Sequence, residues 1–550
     1  MDDLINKSVS GKNKILALVC VLLLAVLTAS WGISVGAMEN HECLVSVTAR
    51  EMLESGDWVM PTCNGEPRLQ KTPLSYWLVA GLGKTTGQID EFTTRLPSAI
   101  FAVLSIAAIL YFVNQWLTFR IAIMSALVWA TSLGYIKYSH NARPEMVLTF
   151  FVTLCFLSFY SAVNEKNRKS QIVYMLVFWA SFGMGMLAKG PAPLPLVLVP
   201  IFSYVAWFRQ WNKLPKLLPV IGPIIFLVIV LPWPLAIAQR GNWDLVVWKH
   251  NFFDRFFGEF DSGNYPFYFY LPFMFAFVAP WVAFVPAALM SPFYRIWDEK
   301  RKTMLFLWLW FVADLIFLTI SGGKRKHYIL PAMPAVAILI GITMEDMAFV
   351  RRAFTQKFAK NFLLCHMVFI TISAVVGMIY VTIAHPEFLL ETLTLGLIAL
   401  AMVGGILISF AKKKAAPACG FIFAGYCILT IYYISFSVPL NNNNYTRKFA
   451  LEILEKVPIT DNLTAYGYVS PRVVHYFGRP ILKLQDKSSL YQHYQQGDWV
   501  IATAGELEEL EQDGRFKKVY YNEKAEMRKR TGNTRGALFH KSAPKLKDTL

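Results

Sequence analysis

Charge is scarce in this chain. Only 16% of its 550 residues are Asp, Glu, Lys or Arg, against about 25% in a soluble globular domain. Cysteine chemistry is equally thin. The seven cysteines, Cys20, Cys43, Cys63, Cys155, Cys365, Cys419 and Cys427, show no CxxC and no Cys/His metal spacing. Five lie in apolar runs or at their ends, where Cys behaves as a small hydrophobe. Cys43 and Cys63 share one loop and form a disulfide only if that loop faces an oxidising space. No Gly-rich phosphate loop appears, nor any repeat of roughly 20–50 residues. The first apolar run lacks a small-residue cleavage site, so it reads as a membrane anchor and not as a signal peptide.

What is present is apolar surface in long runs. The chain is 55% hydrophobic with a mean hydropathy of +0.42. Runs of about 18 or more apolar residues cross the bilayer, and in lipid only a helix satisfies its own backbone. The expected architecture is an all-α polytopic protein of about thirteen transmembrane helices. They lie at roughly 15–36, 95–117, 121–137, 145–163, 171–188, 191–208, 217–238, 267–290, 303–320, 328–344, 361–383, 391–411 and 418–438.

The net charge of +17 would suggest nucleic acid in a soluble protein. Here the basic residues sit in alternate short connections: Lys7, Lys12 and Lys14; Arg120; Lys166, Arg168 and Lys169; Arg209, Lys213 and Lys216; Arg295, Lys300, Arg301 and Lys302; Arg351, Arg352, Lys357 and Lys360; Lys412, Lys413 and Lys414. The positive-inside rule places this set in the cytoplasm, with the N-terminus inside and the C-terminus outside. No nucleic-acid partner is implied.

The other connections are chemically mixed. They comprise a loop at 37–94, the segment His140 to Glu145, the Ala188-Lys189-Gly190-Pro191 turn, a loop at 239–266, and Gly322 to His327. A site at the external membrane surface follows. In the first loop, Ala49–Leu53 and Pro73–Leu82 read as interfacial helices, with Trp58, Tyr76 and Trp77 at headgroup level. Glu39 and Glu42 follow the first span and suit a general base or a cation ligand. Alternatively they belong to a solvated cap, with Asn40 capping and Glu51 paired with Arg50 or Arg68. Lys71, Lys189 and the Lys324-Arg325-Lys326 cluster lie outside against the charge rule. Singly each suits a snorkelling lysine; together they suit the phosphate of a lipid. Glu145, beside Arg143, is a functional carboxylate or an ion-pair partner. His250, five residues before Arg255, fixes no metal site by its spacing and equally suits a structural hydrogen bond. Asp314 is the clearest ionisable residue inside a span, and a transporter would make it central.

After Asn441–Asn444 the composition turns polar for about 105 residues. Thr446–Lys456 reads as an amphipathic helix. Leu463–Val469, Trp499–Ala502 and Lys518–Tyr521 read as strands, and Glu506–Glu511 as a helix. The domains expected are 1–440, transmembrane, and 441–550, a small extracytoplasmic α/β domain.

Together the first-loop pattern (Glu39 to Glu42, Ala49-Arg50-Glu51-Met52-Leu53, Gly56-Asp57-Trp58, Lys71 before Trp77) resembles bacterial integral-membrane glycosyltransferases. So do Arg95-Leu96-Pro97, Arg143-Pro144-Glu145, Lys189-Gly190, Leu231-Pro232-Trp233, His250 to Phe256 and Lys326-His327-Tyr328. The nearest group is the family of the lipid A aminoarabinose transferase, related to the protein O-mannosyltransferases of family 39. The resemblance implies a GT-C fold, a polyprenyl-phosphate sugar donor, an acceptor hydroxyl on a lipid, glycan or protein, and inversion at the anomeric carbon. It implies Lys71, Lys189, Lys324, Arg325, Lys326 and Tyr328 at the donor phosphate, and Arg95, Arg143, His250 and Arg255 lining the pocket. Glu145 matches an acidic pocket position. The family's acid pair falls on His41-Glu42, so the base lies between Glu42 and Glu39. Gln70 replaces an acid beside the loop lysine; a divalent cation then has His250 as its one candidate ligand, and no metal or other cofactor is assigned. The competing class is a membrane transporter or flippase of a lipid or small solute. The location expected is the bacterial inner membrane.

This topology is directly measurable. Reporter fusions at Lys169 and Lys302 should read cytoplasmic, and a fusion at residue 500 external. A cytoplasmic signal at residue 500 would overturn the placement.

Overall fold

A backbone immersed in hydrocarbon has no water to bond, so the apolar runs coil. The computed structural model describes residues 11–241, 265–294, 298–350, 356–384, 386–412, 417, 420–428, 444–493, 499–525 and 536–541. Among them, seven helices are long and apolar enough to cross a membrane: Gly11–Ser30, Glu91–Trp116, Glu145–Asn164, Arg168–Lys189, Lys300–Ile320, Lys326–Val350 and Thr392–Ser409. Three bent pairs raise the count to ten: Phe119–Ala130 with Leu133–Ser139 at 59°, Trp211–Leu217 with Ile221–Val230 at 51°, and Tyr270–Val278 with Trp281–Phe293 at 113°.

Against the expectation of about thirteen spans, seven, or ten with the bent pairs, are recognised among the described residues, and the count of thirteen is not confirmed. Pro193–Trp207 is one reason: its 15 residues give about 22 Å, short of a full crossing. Most of the run expected at 418–438 lies outside the described residues.

Two of the breaks satisfy each other. Leu133 N–H donates to Ala279 O at 2.8 Å, and the Trp281 indole donates to Thr131 Oγ1 at 3.0 Å. Gly134 permits the approach, since a Cβ there would lie 2.9 Å from Phe277 Cβ. Irregular backbone at membrane depth is tolerated where neighbouring protein supplies its partners.

The chain divides into two compact units. The first comprises Met1–Gly32, Gln70–Leu74 and Leu96–Phe436. Glu145–Asn164 is its innermost helix, buried on nearly every face, as a helix apolar all round must be. Met333–Glu345 packs closely on Phe119–Ala130; Gly341 has no room for a Cβ, which would meet the Ser125 backbone N at 2.7 Å. Small residues let such helices approach in the absence of a hydrophobic driving force.

The second unit comprises Ile33–Leu69, Ser75–Arg95 and Ser437–Leu550. The first long loop thus groups with the C-terminal segment, apart from the short stretch bearing Lys71, whereas the boundary expected at 440 would have kept them separate. The loop forms two helices, Asn40–Ser55 and Leu74–Thr86, longer than the pattern suggested. Between them, β1 (Thr62–Cys63) and β2 (Glu66–Pro67) make a hairpin. Asn64 and Gly65 turn it with φ of 58° and 78°, the left-handed pair that a two-residue hairpin needs. Glu51 holds this turn, accepting from Thr62 Oγ1 at 2.6 Å, Asn64 N at 2.5 Å and Gly65 N at 3.2 Å. It does so in place of the expected pairing with Arg50 or Arg68.

The C-terminal segment builds a five-stranded sheet from β3 (Leu463–Tyr466), β4 (Leu482–Leu484), β5 (Trp499–Thr503), β6 (Phe516–Asn522) and β7 (Gly536–Lys541). The order is β4-β3-β5-β7-β6. The β3 pairings with β4 and β5 are parallel, and the pairings of β5 and β6 with β7 antiparallel. The helix Pro471–Phe477 carries the contacts to the loop. Arg50 donates to the carbonyls of Val474 and His475, and Asn64 bonds both the N–H and the carbonyl of Ile481. Ser46 Oγ lies 2.9 Å from His475 Nδ1. Burial, reinforced by the charges of Arg50, Arg447 and Arg95, pushes His475 down to about 3, so a neutral imidazole meets that hydroxyl. Cys43 and Cys63 are free thiols, and the disulfide considered for them is not formed.

Candidate functional site

In the first unit the site is built on helix ends. Pro144 precedes the helix Glu145–Asn164, where a residue lacking N–H costs nothing. The Glu145 carboxylate stands in the first turn, favoured by the helix dipole. Lys189 is the last residue of Arg168–Lys189, the end that favours a cation. Gly190, at φ 61° and ψ −147°, stops that helix in a conformation reserved for glycine. Its N–H also donates to Thr72 Oγ1 at 3.1 Å, which ties the Lys71 segment to this corner.

These ends converge on one carboxylate. Glu145 is 5% exposed. Its Oε1 lies 3.1 Å from Lys189 Nζ and 3.1 Å from His327 Nε2. Oε2 has no hydrogen-bond partner among the described residues. The charge of Arg143 acts on both Glu145 and His327, and that of Lys71 acts on His327. The Lys189 ammonium sits 4.9 Å from the centre of the Tyr328 ring, a cation–π distance. Lys324 is buried without an ion pair among the described residues, while Arg325 and Lys326 are exposed. Lys189, Arg143 and Lys71 thus all bring positive charge to bear on this carboxylate and its imidazole partner. Such a pocket is suited to an incoming anion.

In the second unit, Glu42 and Arg95 form a closed device. Arg95 Nε donates to Glu42 Oε1 at 2.7 Å, and Nη2 to Oε2 at 3.0 Å. Its remaining donors go to the carbonyls of Ile33, Gly36 and Ala37 at 2.9, 2.8 and 3.3 Å. All five guanidinium N–H groups are thereby used. Glu42 Oε2 also accepts from Glu39 N–H at 2.8 Å, its half of a capping box. Glu39 is the N-cap, where Asn40 was expected, and it is exposed.

The structure therefore brings together Arg143, Glu145, Lys189 and Tyr328, within range of the Lys71 charge. His250 and Arg255 lie outside the described residues. Among the described residues no three His, Cys, Asp or Glu side chains gather as metal ligands. His327 and Thr72 were missed as site residues. His327 was masked in the sequence by the basic run Lys324-Arg325-Lys326, and nothing local distinguishes Thr72.

Residues 46–242 match the model of the dolichyl-phosphate-mannose-protein mannosyltransferase family. Among curated proteins, the chain is 27% identical over 384 residues to an undecaprenyl phosphate-alpha-4-amino-4-deoxy-L-arabinose arabinosyl transferase of Pseudomonas fluorescens (strain Pf0-1), covering 68% of each. It is 30% identical over 298 residues to the transferase of that name in Pseudomonas aeruginosa (strain LESB58), where the match spans about half of either chain, 53%. In fold it is similar to ArnT from Cupriavidus metallidurans bound to undecaprenyl phosphate, with TM-score 0.78 at 16% identity, over 95% of this chain and 97% of that one. The oligosaccharyltransferase of Archaeoglobus fulgidus follows, with TM-score 0.52 at 12% identity, over 90% of this chain and 70% of that one.

The chain is similar in sequence to aminoarabinose transferases over about two thirds of its length and shares the fold of ArnT. This likeness leaves open what the Glu42–Arg95 pair does, since both groups are saturated by protein.

The pair should behave as a structural clamp. Arg95→Lys keeps the charge but supplies three donors in place of five. Breaking a buried pair of this kind costs about 3–5 kcal/mol; here the charge is kept, so a somewhat smaller loss is expected. Thermal unfolding in detergent and limited proteolysis of the loop 33–95 should both show it. Wild-type melting and protection would remove the clamp.

Proposed function

We propose that this chain transfers a glycosyl group from a polyprenyl-phosphate donor to an acceptor hydroxyl, with inversion, at the outer face of the bacterial inner membrane. The observation that carries this reading is the gathering of basic groups at Glu145, where two helix ends meet. The names of the sequence relatives support an undecaprenyl-phosphate-linked donor. The resemblance supports Lys71, Lys189, Lys324, Arg325, Lys326 and Tyr328 as donor-phosphate residues, with Arg143, His250 and Arg255 in the pocket; Arg95, matched to the same pocket by the resemblance, has all its donors taken by Glu42 and backbone carbonyls and is assigned to the clamp.

In the step proposed, the bond between the anomeric carbon and the phosphate oxygen breaks, and the acceptor oxygen forms the new bond from the opposite face. The departing lipid phosphate keeps the electron pair. Lys71, Lys189 and Arg143 stabilise it as its charge develops, so it needs no proton. Glu145 acts as the counter-ion that holds Lys189 and His327 in place before the donor arrives. Its paired Oε1 makes it a poor base. The acceptor proton passes to a loop carboxylate. Glu42 is saturated by Arg95 and the Glu39 N–H, whereas Glu39 is exposed; this favours Glu39 as the base and Glu42 as its positioning residue. The acceptor belongs to the class of lipid, glycan or protein hydroxyls.

Two experiments test these roles. Lys71→Ala and Lys189→Ala should each weaken use of a polyprenyl-phosphate sugar by tenfold or more, about 1.4 kcal/mol, in a radiolabelled-donor assay with protein yield near wild type. Wild-type transfer by both variants would displace the phosphate pocket.

For the base, Glu39→Gln should lower turnover by about 10²–10⁴-fold while donor affinity is kept, because the amide preserves shape but cannot accept the proton. Glu42→Gln should lose stability along with activity. If Glu42→Gln melts like the wild type and loses turnover, while Glu39→Gln stays active, the two roles are exchanged.

A further inference from the structure

Two lysines of the first unit share a local pattern. Lys71 is followed by Thr72-Pro73, and Lys189 by Gly190-Pro191. A proline disfavours helical backbone at the residue before it. Each lysine is therefore followed directly by a residue biased away from the helix. Gly190 stands at φ 61° and ψ −147° and ends the Lys189 helix. Neither proline has an N–H to offer, so in each pair the residue between lysine and proline carries the last backbone donor.

These two intervening residues bond each other across 118 positions of sequence, inside one compact unit. The Gly190 N–H lies 3.1 Å from Thr72 Oγ1 and 2.7 Å from the Met186 carbonyl, a donor shared between two acceptors. Thr72 is buried, and its β-branched side chain has few rotamers, so the hydroxyl is held in place. Stability alone does not explain this placement, because the helix end keeps its bond to Met186 without Thr72. What the Thr72 bond adds is a fixed relation between the residues that follow Lys71 and Lys189. Both lysines act at one corner. Lys189 Nζ is 3.1 Å from Glu145 Oε1, and the Lys71 charge acts on His327, whose Nε2 is 3.1 Å from the same oxygen.

We infer, resting on the donor-phosphate reading of the two lysines, that Thr72 is a positioning residue: its bond to Gly190 sets the spacing of Lys71 and Lys189 so that both cations meet one phosphate. Thr72 acts through Lys71 and does not itself hold the ligand. Without the bond, the Lys71 segment keeps its charge but must be ordered when the phosphate arrives, and that ordering is taken from the binding energy.

Microscale thermophoresis of the full chain in detergent, with undecaprenyl phosphate as the probe, reads this role. Thr72→Val keeps the shape and removes the acceptor. It should weaken binding about two- to tenfold, as the loss of one hydrogen bond does, and melt near the wild type. Thr72→Ser returns the hydroxyl and should restore the affinity. Lys71→Ala should weaken binding about tenfold or more. Adding Thr72→Val to Lys71→Ala should cost nothing further, because a positioning effect needs the lysine that it positions. Losses that multiply in the double variant would make Thr72 a direct ligand contact and overturn the inference. A loss that Thr72→Ser does not restore overturns it too. Wild-type affinity in Thr72→Val beside a weakened Lys71→Ala removes this inference alone, whereas wild-type affinity in Lys71→Ala removes the phosphate reading with it. If Thr72→Val does not fold, Thr72→Ser against Thr72→Ala carries the same comparison.

Discussion

A carboxylate removed from water must be met by cations and donors, or it does not stay ionised. Each of the two units is organised around one such group. In the first, Glu145 draws in the ends of three elements: its own helix start, the Lys189 helix end, and the turn carrying His327. In the second, Glu42 fixes Arg95, and Arg95 in turn gathers the carbonyls of Ile33, Gly36 and Ala37. The same rule produces different outcomes. Arg95 and Glu42 saturate each other, which leaves nothing for a ligand. Glu145 leaves one oxygen without a hydrogen bond among the described residues, and Lys189 and Arg143 both act on it.

The membrane architecture was legible because it depends on a short-range property. A run of apolar residues must be helical in lipid whatever its neighbours are. What the runs could not reveal is where they break. The bend between Ala130 and Leu133 is stabilised by Ala279 and Trp281, about 150 residues away, and no local pattern announces that partnership. The short Pro193–Trp207 helix looked like a span because hydropathy counts apolar residues and not the turns that proline and glycine take from them.

The cluster around Glu145 was partly legible because charge stood where the expected topology disfavours it. Lys71, Lys189 and the Lys324 cluster were recognisable for that reason, and Glu145 because a carboxylate at a span end needs a partner. The nature of that partner was not legible, since Lys189 is 44 residues away and His327 lies in another basic run. The reading of Glu42 shifted most. Its register with the family's acid pair made it a candidate base; in the fold both its oxygens are bonded to Arg95. Sequence register identifies which position carries an acid, but only geometry tells whether that acid is already spent on the protein.

Asp314 sharpens this distinction. It is fully buried in Lys300–Ile320, and neither carboxylate oxygen has a partner among the described residues. By sequence it was the residue that a transporter would need. A carboxylate that moves a solute or a proton works in relay with other polar groups lining a path. Among the described residues the cluster around Glu145 stands at helix ends, and no polar group bonds the Asp314 carboxylate.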